Sequence, residues 1–495
     1  MVIDKTLEMA TTISESMDDM VIVPNIPSDT ADPDTATNVP PTPLDESEFD
    51  RSKMATLGNK VRLTDSDEAH GLELYCYVHC GPTDNELLHQ CRGVVFDKEK
   101  LVMRAFPYTV EWSEGEVDQV KDSLDPIFND SRFYDSHEGA LIRMFHYNGK
   151  WFTSTHRKLS AFSSKWGSKE SFGSSFKRAL EYEITRNPAL QKAIPQGDEN
   201  LLERFQSTLD TNKQYMFLVR HCQEHRIVCN YPENPTMYHV GTFVEGKLVM
   251  TECCNIPHPK EHKFSSQEEL LEHVSRVDIR NLQGVICFSP QNKQVKVVNR
   301  EYQELFRARG NEPSIKFRYL QMRLNQRVND MLCRLYPDMV QTFDEVENNI
   351  YEIAKNIYTA YVQRFIKKRF VTVPTEEFAV VKECHKWHEE DRITHRISIN
   401  KVIGVLNQQS PTNINRMIRR YRTEKLEQTK QQKINHEQTK AGTVENTPTA
   451  SPMVFEKPDG KVVSPLQLAQ KSIMNNVPPM KLAVDMTSHP DGVEV

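Results

Sequence analysis

Residues 140–155 constrain the fold of this chain more than any other stretch. Apolar and polar side chains alternate up to Tyr147, the pair Asn148-Gly149 follows, and a second alternating run starts at Lys150. An Asn-Gly pair between two such runs is typical of a type I′ turn, whose twist matches that of the strands it joins. The stretch predicts a β-hairpin and therefore an antiparallel sheet in the middle of the chain.

Other β-branched and aromatic runs extend this sheet-forming region. Residues 91–97 and 101–106 flank a charged turn and predict a second hairpin. Further strands are predicted at residues 215–219, 226–229, 237–244 and 247–252, with a final antiparallel pair at 285–288 and 295–298. Helical spacing marks residues 168–184 and 266–277, the second with a Ser266-x-x-Glu269 capping box. The middle of the chain is therefore expected to be α+β.

Both ends of the chain differ in composition from the middle. Residues 1–50 contain twelve acidic residues against Lys5 and a run rich in proline, threonine and aspartate, while residues 428–495 are polar and then contain many prolines. Neither segment has the apolar residues that a core requires, so both are expected to be disordered. The first fifty residues carry a net charge of −11 and the whole chain carries −7, which leaves the remainder at +4. That mildly basic remainder fits an ordinary solvated surface and an anionic ligand equally well.

The sequence after residue 305 changes from strand patterns to helix patterns. Apolar residues step by three and four from Val340 to Phe365, and Pro374 interrupts the pattern. Two basic stretches lie in this part: the first contains Arg364, Lys367, Lys368 and Arg369, and the second spans residues 416–422. Both fit solvated helix ends, and the second equally fits a surface that contacts phosphates and bases. We predict a disordered acidic tail at 1–50, a mixed domain at 51–305, an all-helical domain at 306–427 and a mostly disordered tail at 428–495.

No pattern in the sequence indicates a membrane span, a secretion signal or a disulfide framework. The chain has no run of eighteen apolar residues, its first residues lack a signal-peptide pattern, and its ten cysteines include no Cys-x-x-Cys pair. We expect a cytoplasmic protein with reduced thiols and no membrane partner. Two clusters have the residue types of zinc ligands, namely Cys76, His79, Cys80, His89 and Cys91, and then His221, Cys222, His225 and Cys229. Buried cysteines in strands are the simpler explanation, and no metal site is predicted.

A short polar motif, Ser136-His137-Glu138-Gly139, directly precedes the hairpin. In form it is an adenylylation motif, Lys-x-x-Gly, in which a lysine amine attacks the α-phosphorus of ATP and holds AMP as a phosphoramidate. Here Ser136 occupies the position of that lysine. A serine hydroxyl is a weak nucleophile unless a base activates it, and the adjacent His137 would point to the opposite face of a strand. The motif therefore lies at the start of a strand, a position from which side chains commonly contact ligands, but it lacks the nucleophile.

Several motifs in order resemble the nucleotidyltransferase domain of phage-type RNA ligases. They are the Arg-Gly strand at residues 92–93, the Glu-Gly-x-Leu strand at 138–141, the hairpin return, Arg226-Ile227-Val228, Gly284-Val285 and Lys296. Residues 138–143 and 154–159 are similar in particular to the RNA-ligase-like proteins of large DNA viruses, including the iridovirus kind. The resemblance covers residues 70–305. It implies an ATP-grasp-like ligase domain of antiparallel sheets with flanking helices, followed by an all-helical domain.

The resemblance also implies that four functional positions have lost their charge. The nucleophilic lysine is Ser136, the acidic residue of the third motif is Leu218, the glutamate of the Glu-Gly-Val motif is Gln283, and the second lysine of the last motif is Val298. No residue is therefore predicted to be catalytic. The candidates for binding a nucleotide or RNA are the positions that keep their chemistry, together with a lysine that enters from another strand: Arg92, Glu138, Gly139, Lys296 and Lys158.

The hypothesis that follows is a catalytically inactive RNA-ligase-like protein that binds RNA, a nucleotide or a viral or host protein. ATP and magnesium are expected only if the nucleotide pocket persists, since Glu138 alone offers a carboxylate there. Two alternatives stay open. One is an active ATP-dependent RNA ligase with a displaced nucleophile such as Lys158, and the other is a structural or virion-associated interaction protein. For a viral protein the expected location is the host cytoplasm, with the virion as an alternative.

Overall fold

The structure, a computed structural model, describes residues 49–104, 106–220, 227–250 and 254–441. The chain divides into two compact units, one that ends at Ser314 and one that starts at Ile315. The predicted boundary after residue 305 falls inside the helix Arg300–Arg309, so the mixed unit extends beyond it. Residues 1–48 and 442–495, which contain most of the two predicted disordered tails, lie outside the described residues.

The first unit alternates strands with short helices. Its strands are β1 (Val61–Asp67), β2 (Leu72–Tyr77), β3 (Arg92–Asp97), β4 (Lys100–Met103), β5 (Val110–Ser113), β6 (Arg132–Ser136), β7 (Ala140–Tyr147), β8 (Lys150–Ser154), β9 (Lys213–Arg220), β10 (Thr236–Val244), β11 (Lys247–Val249), β12 (Glu261–His262), β13 (Gly284–Phe288) and β14 (Gln294–Val298). Its helices are α1 (Arg51–Ala55), α2 (Glu86–Gln90), α3 (Val117–Leu124), α4 (Phe172–Arg186), α5 (Pro188–Ala193), α6 (Leu201–Gln206), α7 (Gln267–Ser275) and α8 (Arg300–Arg309). The predicted α+β class is confirmed.

Within the described residues these strands form three sheets. The first has the order β1-β2-β3-β4, the second β11-β10-β9-β7-β8, and the third β12-β6-β13-β14-β5. Neighbouring strands are antiparallel, apart from β5 and β14, which run parallel. Both predicted hairpins are confirmed, because β3 pairs with β4 and β7 with β8. The second turns through Asn148 and Gly149, whose positive φ values of 46° and 78° fit a type I′ turn.

One predicted strand, at residues 226–229, is wrong in its described part. Residues 227–229 form a bend, and residue 226 lies outside the described residues. The backbone N–H groups of Val228 and Cys229 donate to a carboxylate oxygen of Glu138, at 2.9 and 3.1 Å, rather than to a neighbouring strand. The backbone N–H groups of this β-branched run therefore find their acceptor in a side chain that is distant in sequence. The local sequence pattern does not indicate such a bond.

A layer of apolar side chains fills the space between the second and third sheets. Leu141 and Leu218 reach it from the second sheet, and Tyr134, Ile286 and Phe288 reach it from the third. Helices α4, α5 and α6 cover the other face of the second sheet, and α3 and α7 cover the other face of the third. Each strand of the third sheet thus has an inner face toward the apolar layer and an outer face toward helices, and alternate residues point to one or the other.

The second unit is helical, as predicted. Its helices are α9 (Ile315–Met322), α10 (Gln326–Leu335), α11 (Val340–Tyr361), α12 (Thr375–Glu390), α13 (Ile399–Leu406) and α14 (Pro411–Ala441). The apolar face predicted from residue 340 onward is buried along α11, which ends in a π-helical turn, Val362–Ile366. The first residues of the segment predicted to be mostly disordered, 428–441, continue helix α14, which ends at Ala441. Within the described residues, no helix combines the length and the apolar character needed to cross a membrane.

Candidate functional site

Ser136 ends strand β6 on the inner face of the third sheet, where its side chain is buried. Its hydroxyl donates to Oε1 of Gln283 at 3.0 Å, and the Gln283 backbone N–H donates back to the Ser136 carbonyl at 2.9 Å. Two of the four positions that lost their charge are therefore bonded to each other. A hydroxyl and an amide form a neutral pair where the resemblance implies a lysine and a glutamate.

This neutral pair continues into a chain of hydrogen bonds that ends at Glu138. The Gln283 amide donates to the Tyr302 hydroxyl at 2.8 Å, and that hydroxyl donates to Glu138 Oε1 at 3.0 Å. The same oxygen accepts the two backbone N–H groups of residues 228 and 229. Burial raises the pKa of Glu138, and these donors oppose that rise because they favour the charged carboxylate. Glu138, which was predicted to bind a ligand, is thus already hydrogen-bonded to groups of the protein itself.

Lys296 is fully buried on β14 and forms an ion pair with Glu111 of the neighbouring strand β5. The two residues lie opposite each other in the parallel register of these strands. Burial lowers the pKa of Lys296 and raises that of Glu111, while their mutual attraction opposes both shifts. The sequence analysis did not identify Glu111, because a parallel pairing between strands this far apart in the chain leaves no local pattern.

Arg92 lies beside this ion pair. Its positive charge further lowers the pKa of Lys296 and acts against the rise for Glu111, and its guanidinium donates to the carbonyl of Pro107 at 3.4 Å. The negative charge of Glu138 also acts on Lys296. The charges of two predicted residues, Arg92 and Glu138, therefore act on a third, Lys296. Together with Glu111, they make two cations and two carboxylates, whose charges balance.

The other two altered positions are packed against apolar or backbone groups. Leu218 belongs to the apolar layer between the sheets and pairs with Leu141 of β7. Val298 is 2% exposed at the end of β14, opposite Gly284 of β13. A charged side chain at either position would be removed from water and placed against these apolar or backbone groups. Burying an unpaired charge in this way is costly.

Gly139 has a structural role that its position explains. A Cβ atom built on this residue would lie 2.6 Å from the Val219 carbonyl oxygen and 3.0 Å from the side chain of Leu218. Glycine allows the start of β7 to approach β9 this closely. The close approach accounts for the glycine without a ligand.

Lys158, the candidate for a displaced nucleophile, lies in the loop that follows β8. Its ammonium group is 3.9 Å from a carboxylate oxygen of Asp65 in β1, and it does not border the cavities beside the motif. Arg143, at the end of the other motif stretch, is fully buried and donates to the carbonyls of Gly93 and Thr155. These motif residues hold the first and second sheets together.

Two small cavities border the adenylylation motif. The first, of about 30 Å³, lies inside the apolar layer and is lined by residues that include Arg92, Ser136 and Leu218. The second, of about 50 Å³, is lined by residues that include Glu138 and Gly139. A cavity of this size holds one or a few waters, whereas sites for small-molecule ligands are roughly ten times larger. As the described residues border them, both cavities are smaller than such sites.

The zinc ligands considered from the sequence do not form a site among the described residues. Cys76, Cys80 and Cys91 are buried, and burial raises the pKa of Cys76 to about 11 and of Cys80 to about 12. His221, Cys222 and His225 lie outside the described residues. The structure instead brings together Asp135, His262 and His273, whose ligand atoms all lie within 4.8 Å of one another. The sequence analysis missed this group, since its members come from three separate elements.

No protein-family model matches the chain. It is 28% identical over 389 residues to the immediate-early protein ICP-46 homolog of Invertebrate iridescent virus 6, which covers 72% of this chain and 83% of that protein. It is 24% identical over 229 residues to a putative bifunctional polynucleotide kinase/RNA ligase of Autographa californica nuclear polyhedrosis virus, covering 42% of this chain and 29% of that protein. A solved archaeal ATP-dependent RNA ligase aligns with a TM-score of 0.33 at 12% identity, over 59% of this chain and 73% of that one.

In the described sheets the Arg-Gly motif starts β3, the Glu-Gly motif directly precedes β7, and the Gly-Val motif starts β13. The chain is an RNA-ligase-like protein, and it is similar to proteins of large DNA viruses, the iridoviruses among them.

Proposed function

We propose that this protein binds single-stranded RNA and does not transfer adenylate. The observation that supports the loss of catalysis most directly is the hydrogen bond between Ser136 and Gln283, two buried neutral side chains in place of a lysine and a glutamate. Their polar groups are bonded to each other and, through Tyr302, to Glu138. A substrate would have to break this network before it could be bound there.

The chemistry of adenylyl transfer explains why these replacements matter. The reaction needs a nucleophile that forms a covalent bond to AMP, and a hydroxyl with no activating base does not supply it. Each missing charged group that would stabilise the transferred phosphate costs on the order of 10²-fold in rate. Lys296 remains, but its ammonium is paired with Glu111 and shielded from solvent. Without the nucleophile and the charged groups, we expect neither the attack on ATP nor the stabilisation of the transferred phosphate.

An adenylylation assay tests the catalytic half of the proposal. The full chain is incubated with α-labelled ATP and either magnesium or manganese over a range of pH, and protein-bound label is measured after denaturation. We expect no label, whereas an active ATP-dependent ligase treated in parallel becomes labelled. A stable adduct on the wild-type chain would contradict the proposal. Its absence in a Lys158→Ala variant would then identify the displaced nucleophile.

An exposed basic and aromatic segment in the helical unit supports RNA as the ligand. Residues 366–370, which we call the basic-aromatic segment, consist of Ile366, Lys367, Lys368, Arg369 and Phe370. Phe370 is 90% exposed, Ile366 is 58% exposed, and the three cations between them are exposed as well. Exposed aromatic rings stack on unpaired bases while cations contact the phosphates, which is how single strands are bound without sequence preference.

The segment has a defined backbone despite its exposure. The Lys367 N–H donates to the Val362 carbonyl and the Arg369 N–H to the Gln363 carbonyl, each at 2.8 Å. These bonds close the π-helical turn and fix the point from which Phe370 projects. A preformed projection lowers the entropy that binding would otherwise cost.

The second basic stretch is less suited to this role. Arg420 pairs with Glu376 and Glu377, and Arg422 lies 4.0 Å from Glu345. Two of its arginines are thus engaged with acidic residues of the same unit, and their charges are already compensated. The basic-aromatic segment therefore supplies the better phosphate and base contacts.

Fluorescence anisotropy with a labelled single-stranded oligoribonucleotide tests the binding half. Loss of one stacked base costs about 1–3 kcal/mol, so Phe370→Ala is expected to weaken binding by about 10-fold or more. Replacing Lys367, Lys368 and Arg369 together with alanine removes three phosphate contacts. The slope of log affinity against log salt should then decrease by about 2.

A charge-matched control separates the segment from general attraction. Lys425, Lys430 and Lys433 are exposed on α14, and their replacement by alanine removes the same charge elsewhere in the helical unit. We expect this variant to bind nearly as well as the wild type. Equal loss in both triple variants, or an unchanged affinity of Phe370→Ala, would contradict binding at the segment. A chain that does not bind RNA at any salt concentration would favour the interaction-protein alternative instead.

Binding of a free nucleotide has weaker support. The cavities beside the motif, of about 30 and 50 Å³, are too small for one. If ATP nevertheless raises the melting temperature of the full chain, nucleotide binding replaces this part of the proposal.

A further inference from the structure

Asp135, His262 and His273 meet on the outer face of the third sheet. Asp135 belongs to β6, His262 to the edge strand β12, and His273 to helix α7, which covers this face. Nε2 of His262 lies 2.8 Å from Oδ1 of Asp135, and the two imidazole rings have their centroids 4.7 Å apart. Residues from three separate elements thus place two ring nitrogens and a carboxylate within 4.8 Å of one another.

The group is partly open to solvent and keeps binding capacity unused. Among the described residues, the His273 ring has ring contacts with His262 and Phe264 but no hydrogen bond. The nearest additional carboxylate on α7, Glu269, is held by the backbone and side chain of Ser265, at 2.7 and 2.6 Å. Water is therefore the natural fourth ligand of any ion bound there.

Two imidazoles and one carboxylate are a donor set for a divalent transition metal. Zinc binds such sets with three protein ligands and water in tetrahedral geometry, with metal–nitrogen distances of about 2.0–2.1 Å. The present spacing is wide enough for small ring rotations to reach that geometry. Both imidazoles bind as neutral rings, so the ion replaces the proton shared by Asp135 and His262.

The position of the group separates it from the ligase motifs. Asp135 and Ser136 are consecutive on β6 and therefore point to opposite faces of the sheet. Ser136 bonds inward to Gln283, whereas Asp135 faces α7. An ion at the outer group would join the two-residue edge strand β12 to β6 and α7. Its role would be to hold the sheet edge and its covering helix together.

We propose that Asp135, His262 and His273 form a zinc-binding site on the outer face of the third sheet. It does not depend on the proposed function, because no residue of the basic-aromatic segment or of the Ser136 network takes part in it.

Metal titration of the full chain tests the site. The protein is stripped with a chelator, and cobalt(II) is added as a visible probe before zinc is added in competition. We expect one equivalent of cobalt with the absorption of a four-coordinate site, displacement by zinc, and a zinc-dependent rise in melting temperature. Replacing a residue that only hydrogen-bonds to a metal ligand weakens metal binding about 10–100-fold, so loss of a direct ligand in His273→Ala should weaken it by about 100-fold or more.

The chain provides a matched control in His70. Its Nδ1 lies 2.9 Å from Oδ1 of Asp67, so it forms an aspartate–histidine pair like that of His262, but this pair belongs to no group of three described ligands. His70→Ala is expected to keep the cobalt spectrum and the affinity of the wild type. If His273→Ala proves unstable, Asp135→Asn replaces it in the test. This variant preserves the size of the side chain and should also weaken metal binding.

Several outcomes would overturn the proposal. One is the absence of stoichiometric binding to the wild-type chain, and another is unchanged affinity in both His273→Ala and Asp135→Asn. Equal loss in His70→Ala would show that binding is not specific to the group. Thiolate-to-cobalt charge-transfer absorption would place the ion on cysteines and would also overturn it.

Discussion

Ser136 and Asp135 are neighbours on β6, yet the inner and outer faces that they occupy differ in how fully their polar groups are used. On the inner face, Ser136 takes part in a chain of hydrogen bonds that reaches Glu138, and Lys296 has its counterion in Glu111. On the outer face, the ring of His273 has no hydrogen bond among the described residues. The inner face is closed by internal bonds, whereas the outer face keeps ligand atoms available.

Burial explains the difference. A polar group removed from water must be bonded within the protein, while a half-exposed group can exchange partners with solvent at little cost. Ser136 and Gln283, two of the positions singled out by the resemblance to ligases, bond to each other on the inner face. A family resemblance thus indicates where a ligand would bind in related proteins, and the bonding of the individual residues decides whether that place is still free.

Removing the buried cation should have the largest effect on this contrast. Lys296→Ala leaves the Glu111 carboxylate buried without its partner, and breaking such a pair costs about 3–5 kcal/mol. We expect a loss of that size in the free energy of unfolding, measured with urea. The double variant Lys296→Met with Glu111→Gln should recover most of it, because no charge is then left unpaired.

An exposed ion pair at the edge of the same sheet, between β6 and β12, supplies the comparison. Arg132 and Glu261 are bonded at 2.6 Å, and each side chain is 36% exposed. Arg132→Ala should cost less than about 1 kcal/mol, since solvent screens this pair. A loss at this position as large as that at Lys296 would show that burial does not determine what an ion pair contributes to stability.

Acid should act through a buried histidine. Burial and the charges of Arg92 and Arg143 hold the pKa of His156 well below its ordinary value of 6.5. The unfolded chain gains a proton near pH 6.5 while the folded chain does not, so stability falls as pH decreases below that value. The loss should approach about 1.4 kcal/mol for each pH unit.

Urea unfolding of the wild type and of His156→Gln at several pH values measures this effect. The range from about pH 8 to about pH 5 extends about 1.5 units to either side of the ordinary histidine pKa. We expect the two stability curves to run parallel above pH 7 and to converge below about pH 6.5, because the variant has no imidazole to protonate. Curves that stay parallel throughout would show that His156 does not limit acid stability.

Smaller effects should come from the two neighbouring residues of β6. Ser136→Ala removes the donor to Gln283 and leaves a buried amide oxygen without this partner, at a cost of about 1 kcal/mol. The neighbouring change Asp135→Asn, measured without metal, keeps an acceptor for His262 and should cost less than about 0.5 kcal/mol. A larger loss for Asp135→Asn would mean that the outer face is as tightly bonded as the inner one.

The sequence predicted the elements of the fold well where local patterns determine them. The hairpin through Asn148 and Gly149 formed because turn chemistry and alternation agree on one structure. The long apolar face along α11 was equally readable from its spacing. The strand at residues 226–229 failed because its backbone is bonded to Glu138, and that bond joins parts of the chain that no local pattern relates.

The site was predicted only in part, for a related reason. The motifs gave Arg92, Glu138 and Lys296 as binding candidates, and the charges of Arg92 and Glu138 act on Lys296 in the structure. Glu111 and Tyr302 could not be found, because their importance depends on the parallel pairing of β5 and on the packing of α8. Charge at a motif position indicates capacity to bind, but only the surrounding partners show whether that capacity is already used.

The alternation of side chains along β6 has a consequence for how such a protein diverges. Substitutions at residues 134 and 136 alter only the inner face, while those at residues 133 and 135 alter only the outer one. One short strand therefore gives selection two independent sets of positions. A lineage can lose an ancestral activity on one side of the sheet and acquire a stabilising ion on the other, without either change constraining the other.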